Sequence, residues 1–149
     1  MIDFRRMNEL IRKDDHMKMA IARERAKAER ITSALSQDGG GGGGRGTSSR
    51  VEDGAIALTI LQEEYKPIAE ELEAQRKELK RYLRRLDELQ RTCMRMRYIR
   101  GLSCTRVAEA TFYSKDHIYH TLKAAENRIL EMQANESGKN DHSTSRQKF

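Results

Sequence analysis

Between Lys115 and Lys123 the chain reads KDHIYHTLK, and Lys115, His117, Tyr119, His120 and Lys123 share one side of any helix drawn through it. Ile118, Leu122, Ala125 and Ile129 recur on the other side at helical spacing. Cations, imidazoles and a phenol on one exposed face can read base edges in a DNA major groove. His117 and His120, three apart, could also hold a metal. Asp116 is the only carboxylate or thiolate nearby, so groove contact is the stronger reading.

A second set of residues lies just upstream. From Arg76 to Arg106 there are eleven Lys and Arg residues against Glu78, Asp87 and Glu88, an excess of +8 in a chain whose net charge is +6. A charge run is usually a solvated helix face. One that leads straight into the 115–123 face is the footprint of a phosphate-binding surface, with Arg91, Arg95, Arg97, Arg100 and Arg106 as backbone contacts.

These side chains need elements to hold them. Arg91–Leu130 reads as helix, Gly-Leu-Ser turn, short helix, turn and long helix, the layout of a helix-turn-helix. Gly101 can take the left-handed conformation that ends a helix. Ser103 stands at an N-cap, and the short helix runs from Cys104 to about Ala110 with Val107 and the small Ala108 inward. After Thr111-Phe112-Tyr113, Ser114 caps the next helix and Asp116 favours the positive end of its dipole. The recognition helix then covers 114–131.

The residues RTCMRMRYIRGLS, VAEA and YSKDHIY resemble the C-terminal promoter-reading domain, region four, of sigma-70-type factors. They are more similar still to small phage late transcription regulators of the ArpU-like kind, which share the "RYI-x-G-L-S" turn. The resemblance spans roughly residues 5–131, and its motifs fall in the last forty of these. It implies promoter contacts at Lys115, His117, Tyr119, His120 and Lys123, and RNA polymerase as a further partner. The chain departs from that pattern at Thr111-Phe112, where many relatives carry a large aliphatic and a turn former, and at Glu126, where leucine is common.

The rest of the chain supplies a scaffold. With 37% hydrophobic and 35% charged residues and one proline, it suits long helices with a narrow apolar seam. Residues 1–35 form an amphipathic helix with Met7, Leu10, Met17, Ile21, Ala28, Ile31 and Leu35 as its stripe, interrupted by Asp14 and Glu24. Residues 36–50, with six consecutive glycines from Gly39 to Gly44, form a flexible linker. Its typical span of roughly 20–23 Å lets the next helix return antiparallel. An unbroken heptad runs through Val51, Gly54, Leu58, Leu61, Tyr65, Ile68, Leu72, Gln75, Leu79, Tyr82, Leu86, Leu89, Cys93 and Met96. This implies a coiled-coil-like helix over 51–90 that continues into the 91–131 module, with Pro67 off the seam as a kink or a helix start. Residues 132–149 are polar, aperiodic and disordered by composition. The fold expected is all-α: a long antiparallel helical hairpin continuous with a C-terminal helix-turn-helix.

The N-terminal helix can cover only about half of the long one. The Leu72–Leu89 part therefore needs the reading head, a second copy in a homodimer, or another protein. Cys93 and Cys104 match no zinc spacing and read as small core residues in a reducing compartment. The glycine run lacks the Lys-Ser or Lys-Thr ending of a nucleotide loop. No apolar run approaches the ~20 residues of a membrane span, and no signal-peptide core opens the chain. No catalytic constellation stands out. The expectation is a cytoplasmic, non-enzymatic, cofactor-free regulator bound to double-stranded DNA. A DNA-packaging or architectural protein resembling a terminase small subunit, or a helical interaction module that does not bind DNA, are the competing classes.

Overall fold

In a computed structural model the chain is described over residues 1–37 and 45–146, and it is all-α. Helix α1 spans Phe4–Gln37, α2 Arg45–Leu83, α3 Glu88–Met94, α4 Cys104–Thr111 and α5 Lys115–Arg146. A π-helical turn over Arg95–Ile99 prolongs α3. The glycine run expected to form the centre of the linker lies outside the described residues, and its flanks at 36–37 and 45–50 are helical. Two compact units result: Met1–Asn8 with Leu72–Phe149, and Glu9–Glu71.

In the Glu9–Glu71 unit, the seam positions Leu58, Leu61, Tyr65 and Ile68 are half-buried and Ile21 is buried. Asp14 does not interrupt the stripe, as its charge suggested. It is 4% exposed, accepts a 2.7 Å hydrogen bond from the Tyr65 hydroxyl, and pairs with Lys18 at 3.0 Å. A buried carboxylate is tolerated when its oxygens are satisfied in this way. Helix α2 runs through Pro67 without a break. The proline is exposed, so the Glu63 carbonyl that loses its amide partner can turn to water.

In the other unit the seam is buried at Leu72, Leu79, Tyr82, Leu86 and Cys93. Residues from the same unit provide the cover. Asp3 donates its amide to Gln75, Arg76 donates to the Tyr98 carbonyl at 2.7 Å, and the Tyr82 hydroxyl donates to Glu136 at 2.8 Å. Over Leu72–Leu89 the C-terminal helices of the same chain, with its first residues, fill the place.

The single long helix expected through Leu89 to Met96 is interrupted. Helix α2 stops at Leu83, and Arg84–Asp87 turn the chain with Arg85 and Leu86 amides bonded to the Tyr82 and Leu83 carbonyls. Asp87, extended at ψ 159°, opens α3, and Glu88 follows in the first turn. Leu86 stays buried across the turn, which keeps the heptad spacing intact while the axis changes. The seam is continuous; the helix is not.

The C-terminal segment also differs from its composition. Residues 132–146, expected to be disordered, continue α5. Gln133 is buried, and Glu136 is held by Tyr82 and by Arg85 at 3.3 Å, so tertiary anchors offset weak local propensity. Residues 147–149 lie outside the described residues.

Among the described residues, one non-glycine position is strained. Phe112, at the end of α4, has φ 63° and is 95% exposed. A left-handed phenylalanine costs roughly 1–2 kcal/mol, and so exposed a ring recovers none of it by packing. Phe112→Gly should therefore raise stability by about 1 kcal/mol in urea unfolding, and Phe112→Ala should not.

Candidate nucleic-acid interface

The candidate interface rests on caps at Gly101, Ser103 and Ser114. Gly101 takes φ 73°, and the Leu102 amide reaches back to the Met96 carbonyl across the π turn at 3.0 Å. The Ser103 hydroxyl accepts from the Arg106 amide at 3.3 Å, and the Ser114 hydroxyl accepts from the His117 amide at 3.2 Å. Each satisfies an amide with no partner in its own helix. Val107, Ile118, Leu122, Ala125 and Ile129 are buried, which fixes the rotation of α5.

That rotation turns His117, Tyr119, His120 and Lys123 outward, and Lys115, the first residue of α5, is exposed as well. Tyr113 stacks on His117 with ring centroids 4.9 Å apart, and Tyr119 packs edge-on to His120 at 5.8 Å. Lys123 lies over the Tyr119 ring at 5.6 Å and pairs with Glu126 at 3.6 Å. The result is a polar, partly pre-ordered surface of cations and ring edges. Among the described residues, no group of three His, Cys, Asp or Glu side chains could hold a metal. His117 and His120 instead help to line a shallow cleft of about 320 Å³ with Asp87, Leu89, Gln90, Thr121 and Ala124.

The five arginines divide. Arg95, Arg100 and Arg106 are exposed and make no ion pair among the described residues. Arg91 is turned inward instead: its Nε donates to the Leu83 carbonyl at 3.1 Å, and its Nη2 to the carbonyls of Leu86 at 3.1 Å and Arg84 at 3.4 Å. It caps the end of α2. Arg97 donates to the Leu102 carbonyl at 3.1 Å and to Asn8 at 2.8 Å, tying the turn to the start of α1. Both guanidiniums assigned to phosphates from the sequence thus have structural partners, because a backward-reaching side chain leaves no periodic trace.

Glu126 has a buried partner on the π turn. It accepts the hydroxyl hydrogen of Tyr98, which is 1% exposed and packs against Phe4 at 5.2 Å. Burial first, and the Glu126 bond second, hold the Tyr98 hydroxyl well above the ordinary tyrosine range. The Lys123–Glu126–Tyr98 chain links the outward face of α5 to the π turn. Burial also pushes the Cys93 thiol up, as suits a core residue. Sequence reasoning missed Tyr113 as part of the surface; its place directly before the Ser114 cap was the available signal.

Comparison of the chain with protein-family models, curated proteins and solved structures finds no match. No helix among the described residues is long and apolar enough to cross a membrane.

Proposed function

We propose that the protein is a sequence-specific DNA-binding transcription regulator of phage type. Helix α5 enters the major groove of promoter DNA, and Arg95, Arg100 and Arg106 engage phosphates. The observation that carries this reading is the exposed Lys115/His117/Tyr119/His120/Lys123 face on a capped helix whose opposite side is buried. The unpaired arginines and the +6 net charge supply attraction to a polyanion. The protein acts by binding in the cytoplasm, without a reaction of its own. Its resemblance to sigma region four extends the proposal to RNA polymerase as a second partner.

The test is enrichment of duplexes from a random pool, followed by a salt titration on the winners. A shared sequence should emerge, and affinity should fall steeply with salt. Arg95→Ala and Arg100→Ala should each flatten the log–log slope by about 0.9. Recovery of unselected duplex at every salt would reject sequence-specific reading.

A further inference from the structure

The Glu9–Glu71 unit carries a second surface pair unrelated to DNA. Among the described residues only α1 and α2 build this unit, so each helix buries one stripe and leaves its back uncovered. At about 100° per residue, the back of α2 gathers Ile56 and Ile60 with Glu52, Asp53, Glu63, Glu64, Glu70 and Glu71. Ile56 and Ile60 are 58% and 49% exposed, a large apolar pair one turn apart. From residue 52 to 71 Lys66 is the only base, so this ridge is strongly acidic.

The back of α1 has the opposite character. Arg12, Met19, Arg23, Ala26 and Arg30 fall along it, all exposed, with Met19 at 58% and the acids Glu9 and Asp15 at its two edges. Ala26 leaves room for a helix to approach closely. Each stripe therefore has an apolar centre, and the flanking charges of one complement those of the other. Because the Tyr65–Asp14 bond joins the inner faces of α1 and α2, the two backs point away from each other. One chain cannot bring them together.

We infer that the occupant of the acidic Ile56/Ile60 ridge is the basic Met19/Ala26 stripe of a second copy of this chain. Two different patches meeting head-to-tail form a heterologous contact, which closes into a ring or extends instead of stopping at a two-fold dimer. This inference does not depend on the DNA reading.

Sedimentation of the full chain at tens of micromolar should give species heavier than two 17.2 kDa chains. Their dissociation constant should rise by about tenfold or more between low and high salt as the flanking charges are screened. A ridge variant (Ile56→Ser with Ile60→Ser) and a stripe variant (Met19→Ser with Arg23→Glu) should each be monomeric with unchanged helicity, since all four residues are exposed. Mixed one to one, they should form a dimer and nothing larger, because one intact ridge then meets one intact stripe. A monomeric parent, association unaffected in either variant, or a mixture that stays monomeric would overturn the inference.

Discussion

Arg91→Ala is expected to destabilise the protein by about 2–3 kcal/mol, although arginines on basic helices are usually dispensable. The last carbonyls of any helix lack partners in their own ladder. The Leu83 carbonyl at the end of α2, and those of Arg84 and Leu86 in the turn after it, accept from the one guanidinium. Its removal leaves partly buried acceptors at the turn that redirects the chain into α3. Arg91→Lys should recover less than half of the loss, because a single ammonium cannot reproduce the planar fork. Arg95→Ala, one helical turn later and exposed, should change stability by no more than about 0.5 kcal/mol. Urea unfolding of the three variants checks this. Equal losses for Arg91→Ala and Arg95→Ala would refute the capping role.

The second large effect concerns Tyr98 and Glu126. Glu126→Leu leaves a buried phenol without its acceptor and should cost about 2 kcal/mol. Tyr98→Phe should cost less, about 1 kcal/mol, because Glu126 keeps Lys123 at 3.6 Å. The double variant removes both polar partners and should recover most of one loss, a coupling of roughly 1–3 kcal/mol. Additive losses would show that the bond contributes nothing. The same pair sets an alkaline limit. Tyr98 is raised in the folded state, so its contribution is fully present below the unfolded value of about 10 and is lost as pH rises beyond it. Above that point Tyr98 should by itself lower stability by up to about 1.4 kcal/mol per pH unit, a contribution that Tyr98→Phe lacks. Tyr82, raised chiefly by its bond to Glu136, adds to the parent's decline in the same direction.

The sequence makes periodic and local features legible. The Ser103 and Ser114 caps, the left-handed Gly101, and the α5 stripe of Ile118, Leu122, Ala125 and Ile129 follow from spacing and backbone chemistry alone. The all-α class follows from the seam. The break at Arg84–Asp87 was hidden because Leu86 keeps the heptad count while the axis turns. Asp14 looked like a defect because its partner Tyr65 is 51 residues away. The C-terminal part of α5 looked disordered because Gln133 and Glu136 gain their order from tertiary contacts. For the candidate interface, residue type and periodicity pointed to five side chains of α5 that are exposed. They could not separate Arg91 and Arg97, committed to carbonyls and Asn8, from the outward Arg95, Arg100 and Arg106.

The most direct measurement of the central claim is the ratio of affinities for an enriched duplex and a scrambled duplex of equal composition, at fixed salt. The parent should favour the enriched sequence by about a thousandfold or more. His120→Ala and Tyr119→Ala should each cut that ratio by roughly ten- to a hundredfold, and Arg95→Ala should weaken both duplexes alike. A parent ratio near one, or a ratio unmoved by every substitution on the outward face of α5, would contradict the account.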